Sequence, residues 1–258
     1  MRIDTHLHVM LKPFYGRPPT DPEQLLSDLA ECEIDGGWVS SIDSMITHDL
    51  NVQRRANDQL AEMVRHAPGR IGGFCTVEPG ALDDAAKEVE RCVRELGLIG
   101  IKLHPWLQAF SMTHPGVDLI FDAAAAVKVP VLLHDGSPPY STPRQIAWVA
   151  RKHPDVQVIL GHSGLADLWR DAADAARECP NIWLQPSAAP PVTIRAGLDA
   201  VGPDRLLFGS DGGYGTVRFM RYTIAKSRSA LGDAVFDQVT TVNPDLLLKR
   251  ARGNTPGG

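Results

Sequence analysis

Short runs of β-branched and apolar residues, each closing on one or two polar positions, alternate along the chain with longer stretches in which apolar residues recur every three or four positions. The unit returns about every 30 residues. Eight runs read as strands: Arg2 to His8, Gly37 to Asp43, Arg70 to Val77, Ile99 to Pro105, Val129 to Asp135, Val156 to His162, Asn181 to Pro186 and Arg205 to Asp211. The clearest helix lies over Ala81 to Leu96, where Leu82, Ala85, Ala86, Val89, Cys92, Val93 and Leu96 mark one face and Gly97 supplies a stop. Asp21 to Glu33 opens with Pro22 in its first turn, and Asn243-Pro244 opens a last helix in the same way. Further helices are predicted over Leu50 to His66, Val117 to Val127, Pro143 to Lys152, Leu165 to Glu178, Thr193 to Val201 and Thr216 to Ser229.

Eight alternations of strand and helix predict parallel strands, and closure is the simplest geometry for that count. The expected fold is therefore α/β: one (β/α)8 TIM-type barrel, regular or distorted, over residues 1–252, with an extra C-terminal helix and a flexible tail over residues 253–258. An open doubly wound sheet would carry a glycine-rich phosphate loop after the first strand. That strand runs instead into His6, Leu7, His8, Val9 and Met10.

Composition narrows the class further. The chain has 258 residues, 43% of them hydrophobic and 22% charged, with a formal net charge of −5, which describes a soluble globular protein. No apolar run is long enough to span a membrane, and no Lys/Arg cluster favours nucleic acid. Cys32, Cys75, Cys92 and Cys179 are widely separated without a CxxC pair, so they read as reduced, buried thiols. With no basic and apolar leader before the first strand, the expected compartment is the cytoplasm and the expected partner a small-molecule substrate.

Parallel barrels build their active sites at the carboxyl ends of the strands, and the histidines concentrate there. His6, His8, His104, His134 and His162 end proposed strands one, four, five and six, and Asp211 ends the eighth. Period-two alternation places Asp4, His6 and His8 on one face of the first strand, with Ile3, Thr5 and Leu7 on the other. Burying His134 after VPVLL, or Asp211 after RLLFG, would be costly without a partner. One divalent cation satisfies His6, His8, His134 and Asp211 together. His162, followed by the small Ser163 and Gly164, fits a fifth ligand or, better, an acid/base beside the metal.

Lys102 and His104 share a face of the fourth strand. Lys102 fits a carbamylated bridge between two metals or, preferably, an interior Lys that pairs with an acid or contacts substrate. His104 and Trp106 are candidate pocket walls. Arg17, Arg144 and Arg218, in or just after the loops following strands one, five and eight, are candidate clamps for a substrate carboxylate. His48 follows the second strand closely enough to be considered, whereas His66, His114 and His153 fall away from the strand ends.

The ordered motifs DTHLH, GIKLHPW, LLHDG, GHSG and LFGSDGG, followed by an NP-led helix, resemble the amidohydrolase superfamily, and specifically its amidohydrolase-2 branch, which includes aminocarboxymuconate-semialdehyde decarboxylase. The resemblance runs from Asp4 to Leu248. It implies a distorted TIM barrel, one divalent metal, usually zinc, on His6, His8, His134 and Asp211, and His162 as the catalytic acid/base. It also implies that Asp211 exchanges a proton with water at the metal, and it is compatible with a homo-oligomer. The expected chemistry is hydrolysis of an amide, lactone or ester by a metal-activated water. The alternatives are non-oxidative decarboxylation of an unsaturated or aromatic acid, and a metal- or ligand-binding barrel without catalysis. Many decarboxylases of the branch carry large early loops that this compact chain lacks, which favours hydrolysis among the expectations.

Overall fold

The computed structural model describes residues 1–213 and 217–253. Seven parallel strands follow one another in chain order: β1 (Ile3–Val9), β2 (Gly36–Ser41), β3 (Ile71–Cys75), β4 (Gly100–Leu103), β5 (Val131–Leu133), β6 (Val158–Leu160) and β7 (Ile182–Leu184). Between and after them run α1 (Pro22–Glu31), α2 (Ile42–Met45), α3 (Leu50–His66), α4 (Asp83–Arg94), α5 (Pro115–Val127), α6 (Pro143–Lys152), α7 (Trp169–Glu178), α8 (Pro191–Val201), α9 (Val217–Leu231), α10 (Asp233–Thr241) and α11 (Asn243–Ala251).

The eighth expected strand is irregular. Leu206 bridges Leu184 of β7, and Leu207 donates its N–H to the Leu184 carbonyl; Thr5 and His8 of β1 donate to the Phe208 and Gly212 carbonyls, while Asp211 donates to that of His6. Residues 206–212 thus lie between β7 and β1 and close the barrel with a broken ladder. One break has a named cause, since the Ser210 N–H goes to the Asp4 carboxylate at 3.0 Å instead of a strand carbonyl.

Alternation sorts most strand residues cleanly. Trp38, Phe74, Leu132, Ile159, Trp183 and Leu207 point inward and form one buried cluster with Ile3, whereas Val39, Cys75, Ile101, Leu103, Leu133, Leu160 and Leu184 pack outward under the helices. Leu247 of α11, with Leu246 and Leu248 beside it, packs on the inner cluster. The barrel interior is a filled core, not a pore.

β1 departs from strict alternation. Its register against β2 runs from Asp4↔Gly37 to Leu7↔Val39, three steps against two, so a bulge lies between them. Ile3 consequently joins the inner cluster while Leu7 and Val9 join the outer one, which corrects the expectation that Ile3 and Leu7 share a face. Asp4 sits at the bulge, where its Oδ1 accepts the His6 N–H at 3.1 Å.

Several sequence expectations change in detail. Strands five to seven span three residues each, shorter than their apolar runs; α2 and α10 were not expected as separate helices; and the helix expected from Thr216 begins at Val217, Thr216 itself lying outside the described residues. Of the expected tail, Gly253 ends the described chain and residues 254–258 lie outside it. All four cysteines are buried and free. No helix among the described residues is long and apolar enough to cross a membrane.

Candidate metal centre

His6 and His8 stand in the second half of β1, His134 directly after β5, His162 shortly after β6, and Asp211 near the end of the closing segment. The fold brings all five to one end of the barrel. Ring centroids lie 5.1 Å apart for His6 and His8, 5.2 Å for His6 and His162, and 4.3 Å for His134 and His162. The Asp211 Oδ1 is 3.6 Å from His6 Nε2 and 3.1 Å from His8 Nε2. Among the described residues one set of potential ligand atoms, from His6, His162 and Asp211, falls within 4.8 Å of one another.

Hydrogen bonds fix which ring nitrogens carry protons. The Thr5 hydroxyl donates to the Phe208 carbonyl at 2.7 Å, and the Gln185 amide N–H donates to Thr5 Oγ1. Gln185 Oε1, left as an acceptor, takes the His6 Nδ1–H at 2.7 Å, so His6 Nε2 is the nitrogen with a free lone pair. His162 Nδ1–H likewise donates to the Ser187 carbonyl at 3.2 Å, which leaves its Nε2 bare. His8 is held at both ends, Nδ1 lying 3.1 Å from Ser40 Oγ and Nε2 facing Asp211. Such outer partners orient the rings of metal-binding histidines.

Electrostatics sharpen the arrangement. Burial holds His6 well below the ordinary imidazole range, lowers His8, and brings His162 to about 4, so these rings are neutral near pH 7. Burial alone would push the Asp211 carboxyl up, but the His8 hydrogen bond and the neighbouring imidazoles hold it well below the usual carboxylate range. Lys102 is fully buried, points inward from β4 and places Nζ 2.8 Å from His6 Nε2; burial lowers its pKa to about 8. Lone pairs from two imidazoles and a carboxylate converging on one buried point form a donor set that suits a divalent cation with mixed nitrogen and oxygen ligands.

The remaining candidates are placed unevenly. His104 is buried, stacks on His134 with centroids 3.9 Å apart, and its Nδ1 accepts the Leu107 N–H at 3.3 Å. Its lowered pKa, about 2, follows from burial and the nearby Lys102 charge. Trp106 is 56% exposed with its ring 6.5 Å from that of His134, so it stands on the rim. His134 Nε2 is itself 3.1 Å from Ser137 Oγ. The expected acid partner of Lys102 is replaced by His6 as its direct contact.

The arginines fare differently. Arg144 is corrected outright: Asp171, Asp174 and Glu178 line one face of α7, and its guanidinium pairs with them on the outer surface instead of turning to the mouth. Arg218 is exposed on α9, and Arg17 is exposed in the loop after β1, where its backbone pairs with Phe14. His48, 60% exposed, faces Glu78 at 3.4 Å.

Sequence reasoning missed Gln185, Ser187, Ser40 and Asp135, the last of which accepts the backbone N–H groups of His162 and Gly164. The available signal was their position at or just past strand ends; the three neutral side chains were passed over there, and so was Asp135, overshadowed by its neighbour His134.

Comparison with known proteins agrees with this architecture. The Amidohydrolase family profile (Amidohydro_2) matches residues 3–243. Gamma-resorcylate decarboxylase of Polaromonas sp. is 31% identical over 155 residues, which make up 45% of this chain and 47% of that protein. The chain thus spans about half the length of the curated relatives it matches. Among solved structures, 2,6-dihydroxybenzoate decarboxylase from Rhizobium superposes with a TM-score of 0.77 at 18% identity, covering 96% of this chain and 98% of that one. A dihydroxybenzoic acid decarboxylase from Polaromonas sp., solved with manganese and the inhibitor 2-nitroresorcinol, gives 0.76 at 20% identity, with 96% of each chain covered. By the reach of that profile from β1 to the start of α11, the chain belongs to the amidohydrolase family.

Proposed function

We propose that this protein is a metal-dependent, non-oxidative decarboxylase of a hydroxylated aromatic carboxylic acid. The observation that carries the reading is the convergence of His6, His8, His162 and Asp211 at the barrel mouth, in a chain whose relatives include decarboxylases of such acids. Hydrolysis, the first expectation from sequence, gives way to its alternative. Compactness does not separate this chain from the Rhizobium decarboxylase in fold, since 98% of that chain is covered, although the chain spans about half the length of the curated decarboxylases it matches.

In this reading His6, His8, His134 and Asp211 hold one divalent ion, with manganese as strong a candidate as zinc since a structural relative carries it. Support comes from the unprotonated His6 Nε2, whose lone pair faces Lys102 Nζ at 2.8 Å, and from the Asp211 carboxylate within 3.6 Å of it. When bound, such an ion supplies a Lewis-acidic anchor for substrate oxygens. His104 and Trp106, with ring centroids 6.1 Å apart, offer an aromatic substrate ring a wall at the mouth. His104, its Nδ1 occupied by the Leu107 N–H, presents Nε2–H as a donor to a substrate oxygen.

His162 is the acid/base. Its Nε2, bare in the resting protein, first takes a proton from solvent and hands it to the ring carbon as the carbon–carboxyl bond breaks; the bonding electron pair stays on that carbon and takes the proton, carbon dioxide leaves, and the imidazole returns to its neutral form. The net change is replacement of carboxylate by hydrogen without addition of water.

The test is incubation of the protein, loaded with Mn²⁺ or Zn²⁺, with 2,6-dihydroxybenzoate, alongside lactones, esters and amides. Release of carbon dioxide and resorcinol supports the reading; cleavage of a lactone, ester or amide with none released would return the protein to hydrolysis. His162→Ala should then keep its metal and lose most of its turnover, leaving a measurable residual rate. Loss of the metal instead would make His162 a ligand.

A further inference from the structure

The loop carrying His162 passes through three consecutive left-handed residues, Ser163 at φ +49°, Gly164 at +83° and Leu165 at +54°. Two of them are not glycine, and L-residues stay in this region only where their surroundings over-determine the backbone. Those surroundings include Asp135. Its carboxylate is fully buried, Oδ1 accepting the His162 N–H at 2.7 Å and Oδ2 the Gly164 N–H at 2.6 Å. The next residue, Gly136 at φ +86°, lets the two loops touch: a Cβ there would lie 3.0 Å from the Gly164 carbonyl carbon and from Leu165 Cγ.

Asp135 directly follows His134, so one residue ties the end of β5 to the backbone of the His162 loop. Both its oxygens are spent on backbone donors. A buried carboxylate is an expensive way to pin a loop unless the pinning has a use. The His162 ring has a second tether, Nδ1–H to the Ser187 carbonyl at 3.2 Å, which sets its rotation. Asp135 sets where that ring starts.

We propose that Asp135 is a positioning residue, whose carboxylate clamps the His162 loop and so holds the His162 imidazole in register with His134 and His6. The proposal rests on the reading of His162 as a working member of this centre.

Two measurements test it. In protein labelled with ¹⁵N-histidine, the His162 ring signals are identified by their loss in His162→Ala. Asp135→Asn should move or broaden those signals while leaving His66 and His153, at the C-terminal ends of α3 and α6, in place. With Mn²⁺ and 2,6-dihydroxybenzoate, kcat should fall about 10- to 100-fold with KM held within about twofold. In the His162→Ala background the same substitution should cost less than about twofold, because a residue acting through another adds nothing once that other is gone. Unchanged His162 signals in a folded Asp135→Asn protein, or an equal loss in both backgrounds, overturns the proposal. Should Asp135→Asn fail to fold, Gly136→Ala pushes the same loop without removing a charge and must show the same pattern, or the proposal falls. Absence of turnover in the wild-type protein would sink the decarboxylase reading, and the histidine signals would still decide the role of Asp135.

Discussion

Lys102 Nζ stands 2.8 Å from His6 Nε2, so an amine from β4 lies in the direction of the one His6 nitrogen that carries a free lone pair. An incoming divalent ion must share or displace that contact, and any positive charge on Lys102 repels it. Lys102→Met removes the competitor and keeps the length of the apolar stem. Affinity for Mn²⁺, measured by titration calorimetry, should rise about tenfold, or about 1.4 kcal/mol. Weaker binding would show instead that Lys102 helps assemble the centre.

The His6 tautomer depends on a neutral side chain. Gln185 Oε1 accepts the His6 Nδ1–H, and its own N–H is committed to Thr5. Gln185→Leu fills similar space but leaves Ser187 Oγ, 3.1 Å from Nδ1, as the one remaining acceptor, which loosens the hold on the His6 ring and its tautomer. Metal affinity should drop about 10- to 100-fold, in line with the loss of other outer partners of metal-binding histidines. The check is metal content after dialysis against a graded chelator, with far-UV circular dichroism confirming the fold.

These two side chains also mark how far the sequence could be read. Strand-end position made His6, His8, His134, His162 and Asp211 legible, since a barrel must gather those ends at one mouth. Gln185 and Asp135 stayed out of sight because their work is directed at a ring nitrogen and at backbone N–H groups, contacts that leave no pattern in spacing. The β1 bulge was equally hidden: period-two reasoning assumes an unbroken ladder, and Asp4 replaces rungs of it by taking the N–H groups of His6 and Ser210. Arg144 was misplaced because nearness to a loop in sequence says nothing of which side a helix turns to it, and three acids on α7 decide that. The eighth apolar run was read correctly as a barrel stave but not as an irregular one.

Acid stability has a separate seat under the helices. The side chain of Glu88 is 1% exposed, and its carboxylate accepts from Arg91 Nε at 2.8 Å, Asn57 Nδ2 at 3.0 Å and the Cys92 thiol at 3.2 Å. Burial raises its pKa, but these donors win and the net shift is downward from the ordinary 4.5. A depressed carboxyl contributes stability that is fully present above its unfolded value and is lost as pH falls through the folded one. Melting temperature should therefore decline as pH drops below about 4.5, and Glu88→Gln should flatten that decline while costing about 2 kcal/mol near pH 7. Thermal unfolding of both proteins across pH 3–7 decides it; parallel curves would remove Glu88 from the account.

Gly209 is where the closing segment yields room to the site. A Cβ built on it would lie 2.5 Å from His6 Cβ and 2.8 Å from Gln185 Cδ, closer than real Cβ atoms come. Its φ is not in the left-handed region, so the constraint is purely one of space. Gly209→Ala must push His6 away from Gln185, or the segment away from β1, and either shift pulls Asp211 and His6 out of their 3.6 Å relation. The expected outcome is a metal affinity at least about tenfold weaker, with overpacking costing about 1–3 kcal/mol of stability. Gly197→Ala on α8 is the control, since its added carbon would meet only Leu206 and Leu184 side chains at 3.3 Å and 3.4 Å, away from the histidines. Equal metal affinity in Gly209→Ala and Gly197→Ala would mean that the His6 geometry tolerates displacement, and the centre would then owe less to this missing side chain than the close approach implies.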